Sequence, residues 1–146
     1  MTSQQRTGVS PVRAALNKAE RATKERELLQ PADVPGRVLF WRIVLAPYVA
    51  KYDGAIEMPD IIEQAERVAN SLGRIVQMGF FAFKSKTVAG LDLAQEPNIP
   101  KIGDYVLHEL YAGTHIKLRG DREFRVINET DILMVVDDPE QIRGYL

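Results

Sequence analysis

Six short runs of β-branched and aromatic residues, each closed by glycine, proline or aspartate, constrain this chain more than any other feature. Val38 to Leu45 stops at Pro47, Leu72 to Gly79 is bounded by glycine, and Asp104 to Leu110 follows. Thr114 to Leu118 alternates polar with apolar and turns at Arg119-Gly120-Asp121 into a hairpin partner, Arg122 to Ile127. Ile132 to Val136 is the last run and ends at Asp137-Asp138-Pro139. Branched and aromatic side chains fit a pleated, half-buried surface, and the turn residues between them set hairpin spacing. The pattern predicts a mainly β fold, a small barrel or sandwich.

Three segments fall outside that pattern. Residues 1–36 open with a polar stretch, then offer Ser10 as a helix N-cap before Pro11 and good helix formers from Val12 to Leu29. The apolar stripe there is sparse, and Pro31 and Pro35-Gly36 end any helix, so 1–36 reads as an appendage. Residues 48–71 form a long connection, with apolar residues at helical spacing (61, 62, 65, 68 and 69) behind Asp60. Residues 80–100 form a second long connection, opening on Phe80-Phe81-Ala82-Phe83. Two connections of this length in a small domain imply that they have a task.

With 146 residues, one domain is expected, and 45% hydrophobic with 27% charged residues is ordinary for a globular protein. A net charge of −1 gives no overall field for nucleic acid or an anionic membrane. The chain has no cysteine, which excludes disulfides, thiolate zinc sites and a thiol nucleophile, and agrees with a reducing cytoplasm. No signal-peptide pattern and no apolar run of membrane-spanning length is present in the sequence.

The sequence holds no catalytic constellation, and no metal or cofactor is expected. His108 and His115 with Glu109 are conceivable metal ligands, but solvent-facing strand histidines explain them better. Ser10, Ser71 and Ser85 lack a nucleophile-elbow pattern, and neither glycine-rich phosphate motif occurs. Asp137, Asp138 and Glu140 read as a solvated strand end rather than an acidic metal site. Phe80, Phe81 and Phe83 with Lys84 and Lys86 could stack single-stranded nucleic acid; a buried loop base or a subunit contact is the better reading.

The order of these elements resembles the GroES co-chaperonin family. Lys101-Ile102-Gly103-Asp104-Tyr105-Val106-Leu107 is similar to that family's Lys-Val-Gly-Asp-x-Val segment. Gly73-Arg74-Ile75-Val76-Gln77-Met78-Gly79 is similar to its Gly-x-Val-x-x-Val-Gly strand. Tyr111 to Lys117 resembles its glycine-rich turn, and Phe124 to Leu133, with Asp131-Ile132-Leu133, resembles its closing stretch. The resemblance covers about residues 37–137 and is nearest to the divergent members encoded by bacteriophages.

The resemblance implies an irregular GroES-like β-barrel over 37–137, with 48–71 as a mobile loop, 80–100 as a roof-hairpin-like insertion and 138–146 as a tail. It implies a non-enzymatic homo-oligomeric ring, a heptamer, that caps a GroEL-type chaperonin in the cytoplasm (the host's, if phage-encoded), with ATP handled by the partner. The client would be a phage capsid protein. The docking segment would be Gly54, Ala55, Ile56, Glu57 and Met58; Ile56 and Met58 share a side if extended, and Glu57 stands where the family usually has an aliphatic residue. Ring closure would pair the first strand (Val38, Phe40, Arg42, Val44) with a neighbour's last strand (Ile132, Met134, Val136). The runner-up is a structural virion or scaffold protein reusing the barrel. A fragment akin to the GroES-like domain of zinc alcohol dehydrogenases is the weakest reading, since the zinc ligands are absent.

Overall fold

The computed structural model describes residues 29–48, 66–87, 89–120 and 122–142. Within them the protein is mainly β: β1 (Arg42–Pro47), β2 (Leu72–Met78), β3 (Tyr105–His108), β4 (Thr114–Lys117), β5 (Glu123–Asn128) and β6 (Ile132–Val136). They form one antiparallel sheet in the order β4-β5-β1-β2-β3-β6.

β1 lies inside the sheet and is covered on both faces, which explains why its sequence is apolar without alternation. Ile43 and Leu45 point into a core with Ile75, Val106 and Ile127, while Val44 and Ala46 point into a second with Val76, Phe124 and Leu29. A third cluster of Tyr48, Val68, Leu72 and Val136 gathers at the sheet end where β1 stops, with Ile142 packed against it. The hairpin expected at residues 119–121 joins β4 to β5, in register from Thr114↔Val126 to Lys117↔Glu123.

The first strand begins four residues later than its sequence suggests. Phe40 has φ 60, and the Arg42 amide donates to the Leu39 carbonyl at 3.2 Å, so residues 39–42 turn. The turn brings Phe40 against Gly79, where a Cβ would stand 2.1 Å from the Phe40 carbonyl oxygen. The two backbones touch there, and the Phe81 amide donates to Phe40 at 3.0 Å.

The barrel expected from the sequence is not closed: β4 and β6 are the sheet's two edges and do not pair. All four β4 residues are exposed, and the strand is paired with β5. β6 lines a groove of about 920 Å³ together with residues of the connection before β3, among them Phe83, Leu93 and Ile99.

The expected appendage divides at residue 29. Leu29 is fully buried in the second core, and residues 29–38 run across that face as a strap. The Arg74 guanidinium donates to the Leu29 carbonyl at 2.6 Å. The Gln77 amide accepts from the Val38 amide and donates to the Gly36 carbonyl at 3.1 Å. A half-buried Asp33–Arg122 pair at 3.0 Å closes the strap on β5's side. The expected helix over 12–29 lies, up to residue 28, outside the described residues.

Candidate functional site: a loop root and an aromatic patch

The connection expected to dock a partner leaves the sheet at Tyr48 and returns at Glu66. Its docking segment, Gly54 to Met58, lies outside the described residues; its two roots lie within them. The Tyr48 amide donates to the Leu72 carbonyl at 2.9 Å, and the Tyr48 ring meets Tyr105 edge-on at 5.6 Å. Residues 66–69 are helical, matching the described end of the helical spacing over 60–69. Val68 and Leu72, both fully buried, fasten this returning limb to the third cluster. Both ends of the excursion are therefore held at one end of the sheet.

A polar knot ties the returning limb further. Asn70 donates from its amide and from Nδ2 to the Glu66 carbonyl at 3.0 and 2.8 Å, closing the helical turn. Its own carbonyl accepts from the Tyr111 amide at 3.0 Å and from Arg125 Nη1 at 2.7 Å, and its Oδ1 accepts from Arg125 Nη2 at 2.6 Å. The Ser71 carbonyl accepts from the His108 amide at 2.7 Å.

His108 is buried, contrary to the solvent-facing position expected; His115, on the exposed edge strand, is as expected. Strand alternation fixes which face a residue joins but not whether that face is covered. Burial pushes the His108 pKa down to about 4, against the opposing effect of its Nδ1 hydrogen bond to the Glu109 carbonyl at 2.8 Å; the nearby Arg125 charge pushes it down further. Arg125 is 1% exposed, and burial lowers its pKa to about 10. Nothing in the sequence of β5 marks Arg125 as interior.

The second feature is apolar. Leu39, Phe40, Trp41, Phe80 and Phe81 are 60, 49, 44, 73 and 52% exposed. Phe40 and Trp41 lie 5.7 Å apart, and Phe80 meets Phe81 edge-on at 5.1 Å. Lys84 caps the Phe80 ring at 4.1 Å and Arg42 lies 5.4 Å from the Trp41 centroid. At ~200 Å² per side chain, the five expose roughly 500 Å², near the top of what a monomer leaves uncovered. Only Phe83 of the phenylalanine cluster turns inward, against the first core. Its amide donates to Glu129, whose other oxygen accepts from Ser85 Oγ at 3.3 Å, so a buried carboxylate pins the base of the 80–100 insertion. Beyond that base, an isolated Lys86–Asp92 bridge folds the insertion back on itself.

The expected ring-contact residues separate into two groups. Phe40, Arg42 and Met134 are exposed, and Val38 and Ile132 are half-buried. Val44 and Val136 are buried within this chain, and the backbone of Arg42 and Val44 is paired on both sides, to β5 and, at Val44, to β2. A neighbour's strand cannot add to them, because both edges of β1 are taken. Leu39, Trp41, Phe80, Phe81 and Leu133 are among the exposed apolar residues that the strand-pairing expectation leaves out.

Asp138 at the strand end caps the short turn Pro139–Gln141, accepting from the Glu140 amide at 3.1 Å. Among the described residues no group of three or more His, Asp or Glu side chains is placed to hold a metal ion, and no helix is long and apolar enough to cross a membrane. Compared with models of known protein families, the chain matches none.

Proposed function

We propose that this chain is a co-chaperonin: a ring-forming lid whose 48–71 loop docks on a GroEL-type chaperonin and encloses its folding chamber. The observation that carries the reading is the loop's construction. A long excursion containing Gly54-Ala55-Ile56-Glu57-Met58 is set between two roots that are buried and hydrogen-bonded at one end of a β-sheet. Rigid roots confine the search of a tethered segment, and several such segments on one ring raise one another's effective concentration. The order of motifs along the sequence is the reason for naming this family.

On this reading the ring contact is made by the exposed strip 39–41 and 80–81 against the outer side of a neighbour's β6, where Leu133 and Met134 are 56 and 54% exposed. The strip supplies more than half of the ~800 Å² that each partner contributes to a standard interface. Seven copies, a phage capsid protein as client, and ATP turnover confined to the partner complete the proposal.

Native mass spectrometry of the full chain, alone and with GroEL and nucleotide, tests it. Ile56→Asp is expected to leave the ring intact and abolish nucleotide-dependent capping. A wild-type ring that ignores GroEL would shift the assignment to a structural or scaffold role, and a monomer that ignores it would overturn the reading.

A further inference from the structure

We propose that Arg125 and Asn70 form a positioning clamp that sets how the returning limb of the 48–71 excursion leaves the sheet. The geometry comes from described residues alone; the consequence for docking rests on the co-chaperonin reading.

Arg125 spends both terminal nitrogens on one residue, with Nη1 at 2.7 Å from the Asn70 carbonyl and Nη2 at 2.6 Å from Asn70 Oδ1. This two-point grip fixes the backbone and the side-chain rotamer of Asn70 together. Its acceptor is uncharged, and among the described residues Arg125 Nε is a buried nitrogen with no hydrogen-bond partner. Burying a cation on these terms is costly, and an apolar side chain of similar length would fill the same space at lower cost. What that side chain would not do is hold Asn70.

Asn70 is the point where the excursion becomes sheet. It closes the helical turn through Glu66, accepts from the Tyr111 amide, and directly precedes Ser71, which is fully buried and bonded to His108. The guanidinium therefore sits beside the C-terminal carbonyl end of the 66–69 turn, where positive charge is favourable. Tyr111 holds φ 62, a strained value for a side chain of its size, at the same junction. β5, the 109–113 turn and the returning limb thus meet at one asparagine.

The test uses the full chain with Arg125→Met, Asn70→Ala and Asn70→Asp, the last keeping both acceptors and adding charge opposite the guanidinium while giving up the Nδ2 donation to Glu66. Amide hydrogen exchange without any partner is read first. Arg125→Met and Asn70→Ala are expected to raise exchange at residues 70 and 71 at least tenfold with β1 and β2 unchanged, and Asn70→Asp, which keeps the guanidinium contact but loses the Nδ2 donation to Glu66, to raise it less than Asn70→Ala. Unchanged exchange at 70 and 71, or a rise spread evenly over the sheet, would overturn the clamp. Titration with GroEL and nucleotide is read second: intact rings that cap at least tenfold more weakly in both clamp-breaking variants are expected. Normal capping by them, while Ile56→Asp abolishes it, would overturn the docking role and leave the co-chaperonin reading standing. A wild type that does not cap would overturn that reading, with the exchange result still deciding the clamp.

Discussion

Acid should weaken this protein through His108. The side chain is 2% exposed, and burial lowers its pKa from 6.5 to about 4. The charges facing it divide: Arg125 and His115 oppose protonation, Asp131 favours it. Because the folded form binds a proton less readily than the unfolded form, the stabilisation is complete above the unfolded pKa of 6.5. It is lost as pH falls from 6.5 towards 4, and below that both states are protonated and the loss levels off. At ~1.4 kcal/mol per unit, the full loss is about 3 kcal/mol, of which about 2 has gone by pH 5. The perturbation is His108→Phe, which keeps the buried ring and removes the titration. It also removes the Nδ1 hydrogen bond to Glu109, a residue exposed enough for water to replace the donor, at a cost of about 1 kcal/mol. Urea unfolding at fixed protein concentration, at pH 7 and pH 5, compares the two. Wild type is expected to lose about 2 kcal/mol more than the variant over that interval, since the carboxylates titrate alike in both. Equal losses would refute a neutral, buried His108.

Leu29→Ala is expected to destabilise the protein by about 3 kcal/mol by urea unfolding, because Leu29 is fully buried in the second core; a change under about 1 kcal/mol would mean that the strap carries little. Gly79→Ala, which would drive a methyl group against the Phe40 carbonyl, is expected to cost at least about 2 kcal/mol and to shift tryptophan emission as the turn carrying Trp41 moves; unchanged emission would argue against that close approach.

Strand positions were legible because each depends on local chemistry. Ile132 to Val136 is a strand as the sequence suggests, and the 114–127 hairpin follows from Arg119-Gly120-Asp121. What was not legible depends on approaches between distant segments. Val38 to Trp41 has strand propensity throughout, yet residues 39–42 turn where Phe40 meets the backbone of Gly79. Leu29 ends a stretch too poor in apolar residues to suggest a core, and is buried because the sheet presents a second apolar face. His108 and Arg125 occupy strand positions whose pattern allows either environment, and packing against residues 70 and 71 makes both interior. Of the candidate site, the long connection was visible as an interruption of the β pattern; the hydrogen-bonded knot at its root was not.

The strand order has a consequence for how the chain is made. β4 and β5 are joined by a short turn, and every other pairing spans a long separation in sequence. β1, the first of the described strands to leave a ribosome, needs β2 on one side and β5 on the other, and its last pairing partner in β5 is Asn128. Its backbone consequently waits until residue 128 has been synthesised before both of its edges can be paired. Non-local sheets of this kind are slow to form, and their early strands stay exposed while they do.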